Sequence, residues 1–290
     1  MARKQRLASA LSLMILTIAA QAENFIRVDE DDAAARLQTA VTRYEKDGAS
    51  VDLIGAIHLA DQAYFEQLNV RFKTYDAVLF EMIGGEKFAE AKQPVAEPAP
   101  EKQEKDLSGL PKIYDMVAKF LKLTGQSEAI DYTAANFVHA DLTLAEFTRM
   151  QQERGESLLG FVLKAGRDAP EPANAPDPAK LLQAMLAGKS NLVKLEIVHT
   201  LGQGDDQIGA FAGESVIISD RNQRCLEVMQ RELAAGHGKL GIFYGAAHFP
   251  DLEKRLLDLG FKRGKREWLN AWDIPKQEAK PAAAETKDAA

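Results

Sequence analysis

A chain of 290 residues, 46% hydrophobic and 27% charged, is long enough to bury a sizeable core in one large domain or two small ones. Its formal net charge of −7 argues against a nucleic-acid partner, whose phosphates need a basic face. A mean hydropathy of −0.25 excludes a polytopic membrane protein, and a single cysteine excludes an internal disulfide and thiolate clusters for zinc or iron–sulfur.

Arg3, Lys4 and Arg6 precede Leu7–Ala20, an uncharged and largely apolar stretch that runs into Ala20-Gln21-Ala22. A basic start, a short apolar segment and a small-x-small end predict a secretory signal peptide over residues 1–22. The expected location is therefore periplasmic or secreted. Fourteen residues are short for a bilayer span, so no stable membrane insertion is expected after signal removal.

Residues 23–274 read as a single domain. Asp31–Tyr44 places Ala34, Leu37, Ala40 and Val41 at helical spacing and predicts an amphipathic helix. Val51–Ile57 predicts a buried strand, Asp61–Val70 a helix with Tyr64, Phe65 and Leu68 on one side, and Ala77–Met82 a second buried strand. The usual solution for strand–helix–strand is a right-handed parallel crossover.

Residues 85–110 and 167–178 are expected to be flexible insertions. Glu86–Asp106 is nearly all Glu, Lys, Ala, Pro and Gln, and prolines stand at 170, 172, 176 and 178. Between them Ile113–Leu123 has a helical pattern. Thr143-Leu-Ala-Glu146 has capping-box spacing, with Asp141 as a competing cap.

Leu181–His199 reads as helical, and Arg221–Ala235 as an amphipathic helix with Leu226, Met229 and Leu233 inward and Gly236 as its stop. Leu240–Tyr244 predicts a third buried strand and Pro250–Leu259 a helix closed by Gly260; residues 275–290 read as a disordered tail. The expected fold class is α/β: a mixed, largely parallel sheet flanked by helices, with two related strand–Gly-x-x-His–helix units and a helical insertion between them.

Several patterns fail as chemistry. Gly188-Lys189-Ser190 ends like a phosphate loop, but Gln183 stands where a glycine is required. Gly202-Gln-Gly204 has the wrong onward spacing for a dinucleotide, and Asp205 and Asp206 beside it would repel a pyrophosphate. Gly155-Glu-Ser157-Leu-Leu-Gly160 is one residue off a nucleophile elbow, and Cys225 sits in a helix with no adjacent histidine.

Two segments match each other. Gly55-Ala-Ile-His58 and Gly245-Ala-Ala-His248 each follow a buried strand, and each has an aspartate, Asp61 or Asp251, before a helix gets going. Ligand sites in open α/β sheets lie outside the carboxyl ends of strands, where both histidines fall. Gly55 and Gly245 would let the backbone pass closely, and the helix starts would favour an anion.

Glu81 ends the second strand, and a parallel pairing with the first strand would set it beside His58. A carboxylate there is costly to bury unless paired or bound to a cation. Two histidines and a glutamate form a common set for a divalent metal that activates water. Arg221 and Asn222 read either as cap and solvated face, or as residues that orient the glutamate or hold a substrate carbonyl. The leading expectation is an exported metal-dependent hydrolase, peptidase-like, with His58, Glu81 and His248 on the ion; the alternatives are a metal-independent esterase-like hydrolase with one histidine as general base, and a non-catalytic binder of a peptide or haem-like ligand.

The paired Gly-x-x-His segments, strand-terminal Glu81 and Arg221-Asn222 resemble the TraB/PrgY/GumN group, which includes the Tiki proteases, within the wider erythromycin-esterase and ChaN-like superfamily. The resemblance covers most of Val51–Phe261. Tyr132–Asp141, with Asn136, His139 and Asp141, is similar to an internal stretch of that family. The resemblance implies an α/β fold of two related halves. For the Tiki branch it implies a peptidase that uses manganese or cobalt, with zinc as a third candidate. Its metal ligands would be His58, Glu81 and His248, supported by Arg221 and Asn222. The substrate would be a peptide or another carbonyl compound.

Overall fold

The computed structural model describes residues 25–90, 110–155, 178–201 and 216–276. The expected signal peptide, most of the 85–110 and 167–178 insertions, the Gly202-Gln-Gly204 segment and nearly all of the expected tail lie outside the described residues.

The chain opens with β1 (Ile26–Glu30), β2 (Ala34–Lys46) and β3 (Ala49–Ala56), followed by β4 (Leu59–Ala60), α1 (Gln62–Phe72) and β5 (Ala77–Phe80). The middle holds α2 (Glu86–Glu90), α3 (Leu110–Leu121), β6 (Thr124–Gly125), α4 (Gln126–Ala129), β7 (Phe137–His139), α5 (Leu144–Arg154), α6 (Pro178–Leu186) and α7 (Ser190–Leu201). A π-helical turn, Val216–Asp220, leads into α8 (Arg221–Ala234). Then come β8 (Lys239–Gly245), a 3₁₀ turn (Ala246–His248), α9 (Phe249–Asp258) and β9 (Lys262–Pro275).

The fold is α/β, with a mixed, mostly parallel sheet flanked by helices. Seven strands form one sheet in the order β1-β2-β3-β8-β5-β7, with β9 on the other edge of β2. Strands β3, β8, β5 and β7 run parallel, whereas β2 pairs antiparallel with β1, β3 and β9. One core half packs α1, through Tyr64, Phe65, Leu68 and Phe72, against Ile54, Val78, Phe80 and Phe243. The other packs α8 and α9, through Cys225, Met229, Phe249 and Leu252, against Leu53, Leu79, Ile242 and Tyr244.

The three buried strands appear as expected, and so do the helices after Asp61, over 221–234 and before Gly260. The segment Asp31–Tyr44 does not form a helix: Ala34–Lys46 is the longest-paired strand of the sheet. Leu37 and Val41 face one core half and Ala40 and Tyr44 the other. A strand covered on both faces loses its alternation of apolar and polar residues, and the remaining spacing then mimics a helix. The expected Leu181–His199 helix is two helices, α6 and α7, parted at Gly188, whose φ of +66° suits glycine.

The capping box is formed in full: Thr143 Oγ1 accepts the Glu146 N–H, and Glu146 accepts the Thr143 N–H. Asp141 therefore does not cap α5. Hydrogen bonds from Arg224 hold the Glu146 carboxyl down, against some burial and with help from Thr143, at about 2. Because this pKa is depressed on folding, the unfolded chain binds more protons in acid, and the stabilisation is present above the unfolded value and lost below it. Glu146→Gln, which keeps the box but not the charge, is expected to cost about 1 kcal/mol at neutral pH. In urea unfolding at successive pH values, the gap from wild type should close as pH falls from about 5 towards 2.

Gly55 lies where β3 meets β2. A Cβ there would stand 3.1 Å from Thr39 Cβ and 3.2 Å from the Ala40 carbonyl oxygen. A strand with paired neighbours on both edges has no room to give. Gly55→Ala should lower unfolding free energy by about 1–3 kcal/mol; an unchanged denaturation midpoint would refute this account of the glycine.

Candidate functional site

Because β8 enters between β3 and β5, the carboxyl end of β5 meets β8 rather than β3. Glu81 therefore lies beside His248, with β8 between its strand and the strand that precedes His58. Its Oε2 accepts the Gly245 N–H at 2.6 Å, and its Oε1 stands 3.5 Å from His248 Nε2. The glycine of the second Gly-x-x-His segment thus supplies a backbone donor, and an added Cβ would come within 3.2 Å of the same carboxylate oxygen.

Arg221 and Asn222 open α8 directly after the π-helical turn, a distortion often found at functional sites. Arg221 donates through Nε and Nη2 to the two oxygens of Asp141, at 2.9 and 2.6 Å, and through Nη2 to Glu81 Oε1 at 2.6 Å. Asp141 is 1% exposed and fixed further by the Leu142 N–H at 2.7 Å. Burial opposes the charge on Arg221, but Glu81 and Asp141 outweigh it and raise its pKa. Burial likewise opposes ionisation of Glu81, but the positive charge His248 carries when doubly protonated, the Arg221 guanidinium and the Gly245 N–H hold it well below the usual carboxylate range.

Asn222 is fully buried and orients His248. Its Nδ2 donates to the His248 carbonyl at 3.1 Å and to Asp251 Oδ2 at 2.8 Å. Both amide protons are thereby used, so Oδ1 faces the imidazole and accepts from His248 Nδ1 at 2.6 Å. A proton therefore sits on Nδ1, and Nε2 faces both Glu81 Oε1 and Arg221 Nη1, each at 3.5 Å. The ring also packs edge-on against Tyr244, whose hydroxyl donates to the Ala140 carbonyl beside Asp141. Glu81 keeps 17% of its side chain exposed, and Asp251, on the far side of Asn222, keeps 27%.

Neither a protein-family model nor a curated protein matches this chain.

His58 follows the carboxyl end of β3, the strand that pairs in parallel with β8. It is exposed, and its carbonyl accepts the Gln126 N–H at 2.9 Å. After β3 the chain turns into the core half of α1, where Ala60 is buried; after β8 it turns into the half of α8 and α9, where Ala246 and Phe249 are buried. The two histidines follow neighbouring parallel strands whose continuations enter different core halves.

The residues present do not compose a metal site as they stand. Both Glu81 oxygens are engaged by Arg221 and Gly245, and a cation beside Oε1 would face a guanidinium. Among the described residues, no three His, Cys, Asp or Glu side chains form a metal-holding group.

Sequence reasoning missed the role of Asp141, which looked like a cap, and of Asp251, which looked like part of a helix start. His139 is structural: its Nε2 donates to the Met82 carbonyl at 2.8 Å and secures the turn after Glu81. Cys225 is fully buried, and burial pushes its thiol pKa up, away from nucleophilic use. Arg221→Met is expected to cost about 3–5 kcal/mol, because it leaves two buried carboxylates without their counter-ion. Chemical unfolding at neutral pH measures this; a loss under 1 kcal/mol would deny Arg221 its central place.

Proposed function

We propose that this protein is an exported hydrolase of a carbonyl substrate, an ester or a peptide, with His248 as general base. The supporting observation is the locked Asn222 amide, which holds a proton on His248 Nδ1 and turns the Nε2 lone pair towards Arg221 Nη1 and Glu81 Oε1, each 3.5 Å away. Resemblance of the Gly-x-x-His segments to the TraB/PrgY/GumN group supports hydrolysis, and the site's place at the carboxyl ends of parallel strands supports ligand binding there.

In this reading a water at the solvent-facing side of Glu81 gives a proton to His248 Nε2 as its oxygen bonds to the substrate carbonyl carbon. Glu81, 3.5 Å away, stabilises the imidazolium that forms. The same proton passes to the departing alcohol or amine as its bond to carbon breaks. Arg221 holds Glu81 ionised and in place. Asn222, with both amide protons committed, orients the base and does not serve as an oxyanion donor.

The test uses purified, signal-processed protein and a panel of activated esters and chromogenic peptides. His248→Ala should lower kcat by about 10²–10⁴-fold. Activity should survive exhaustive chelation. Activity that is lost with chelator, restored by manganese or cobalt, and equally lost in His58→Ala would overturn this reading in favour of a metal-dependent peptidase.

A further inference from the structure

Both Gly-Ala-x-His segments carry an aspartate three residues beyond the histidine, and the structure uses the two differently. Asp61 is engaged with β9, where its Oδ2 accepts the Asp273 N–H at 2.7 Å. Asp251 lies in the first turn of α9, and its Oδ2 accepts Asn222 Nδ2 at 2.8 Å. The same oxygen accepts Arg255 Nε at 2.7 Å. Arg255 is itself braced by Ser219 Oγ and Gln223 Oε1, each at 2.9 Å, so the carboxylate is held against the amide.

The two ends of an asparagine amide have nearly the same shape, and only their hydrogen-bond partners tell them apart. Were Asn222 reversed, its oxygen would face the Asp251 carboxylate and the His248 carbonyl, acceptors both, with no proton between them. Its NH₂ would face His248 Nδ1 and drive the imidazole proton to Nε2. That nitrogen could then no longer take a proton beside Glu81. The negative charge on Asp251 penalises this reversed state more strongly than a neutral carbonyl does.

We propose that Asp251 is a positioning residue that sets the tautomer of His248 through Asn222. The proposal rests on the reading of His248 as general base and assigns Asp251 no contact with substrate. A neutral side chain at 251 weakens the discrimination, because an amide there can offer its own NH₂ to a reversed Asn222; the His248 carbonyl and Arg221 Nη1 still oppose the reversal.

The experiment is long-range ¹H–¹⁵N spectroscopy of the full chain labelled with ¹⁵N-histidine, at a pH where His248 is neutral. His248→Gln identifies the resonances. The wild type should show a protonated Nδ1 and an unprotonated Nε2. Asp251→Asn should raise the fraction protonated on Nε2 at least fivefold, while Asp251→Glu, which keeps the charge, retains the wild-type pattern. Unchanged His139 resonances report that the variants keep the fold around the site. A wild-type pattern in Asp251→Asn, or the same shift in both variants, overturns the role of Asp251 and leaves the general-base reading standing. A wild-type His248 protonated on Nε2 overturns the general-base reading itself.

Discussion

Arg221 Nη2 is 2.6 Å from both Asp141 and Glu81, and three elements remote in sequence meet on that atom. A guanidinium taken out of water repays its desolvation only when its donors are met with good geometry, and the paired bonds to Asp141 do so. The carboxylates in turn are tolerable in the interior only because the cation lies between them. With this contact made, the start of α8 cannot slide or turn without leaving a buried charge unpaired. Asn222, the next residue, is therefore placed by an interaction it does not itself make, and His248 is placed by Asn222.

Strand order decides which residues share this arrangement. Strand β8, from late in the chain, lies between two strands from the first third, so the cluster draws on β5, β7, β8 and α8 and is complete only when all four are docked. Parallel strands need connections that cross over the sheet, and such connections bring their carboxyl ends together on one edge. Each strand end still chooses a core half. The segment after β3 joins α1, and that after β8 joins α9, which explains how two matching tetrapeptides come to serve different ends. In the first, the Gly55 carbonyl accepts the Tyr64 hydroxyl and the glycine itself admits β2 closely. In the second, Gly245 donates to a functional carboxylate.

Much of this could be read from residue patterns. Val51–Ile57, Ala77–Met82 and Leu240–Tyr244 are short β-branched or aromatic runs whose burial on both faces needs no partner to be recognised. The Thr143–Glu146 box and the glycine after α8 are local signals and behave locally. Glu81, His248, Arg221 and Asn222 were singled out by chemistry, since charged and imidazole groups at strand and helix ends carry a desolvation cost that asks for a reason. The antiparallel flank escaped notice: β2 resembled a helix, and β9, rich in Lys, Arg and Trp, gave no apolar run. Its order comes from pairing along nearly the whole of β2, a long-range contact without a local signature.

Local composition and spacing were enough to establish the α/β class, the parallel strands and most of the polar residues gathered at their carboxyl ends, because these depend on burial and short-range geometry. Which of those residues touch was decided by the tertiary structure alone. The insertion of β8 between β3 and β5 set Glu81 beside His248, and the docking of α8 turned Asp141 from an apparent helix cap into half of a buried charge clamp. Partner choice of this kind depends on strand order and on the balance of buried charge, and both exist only once distant segments have met.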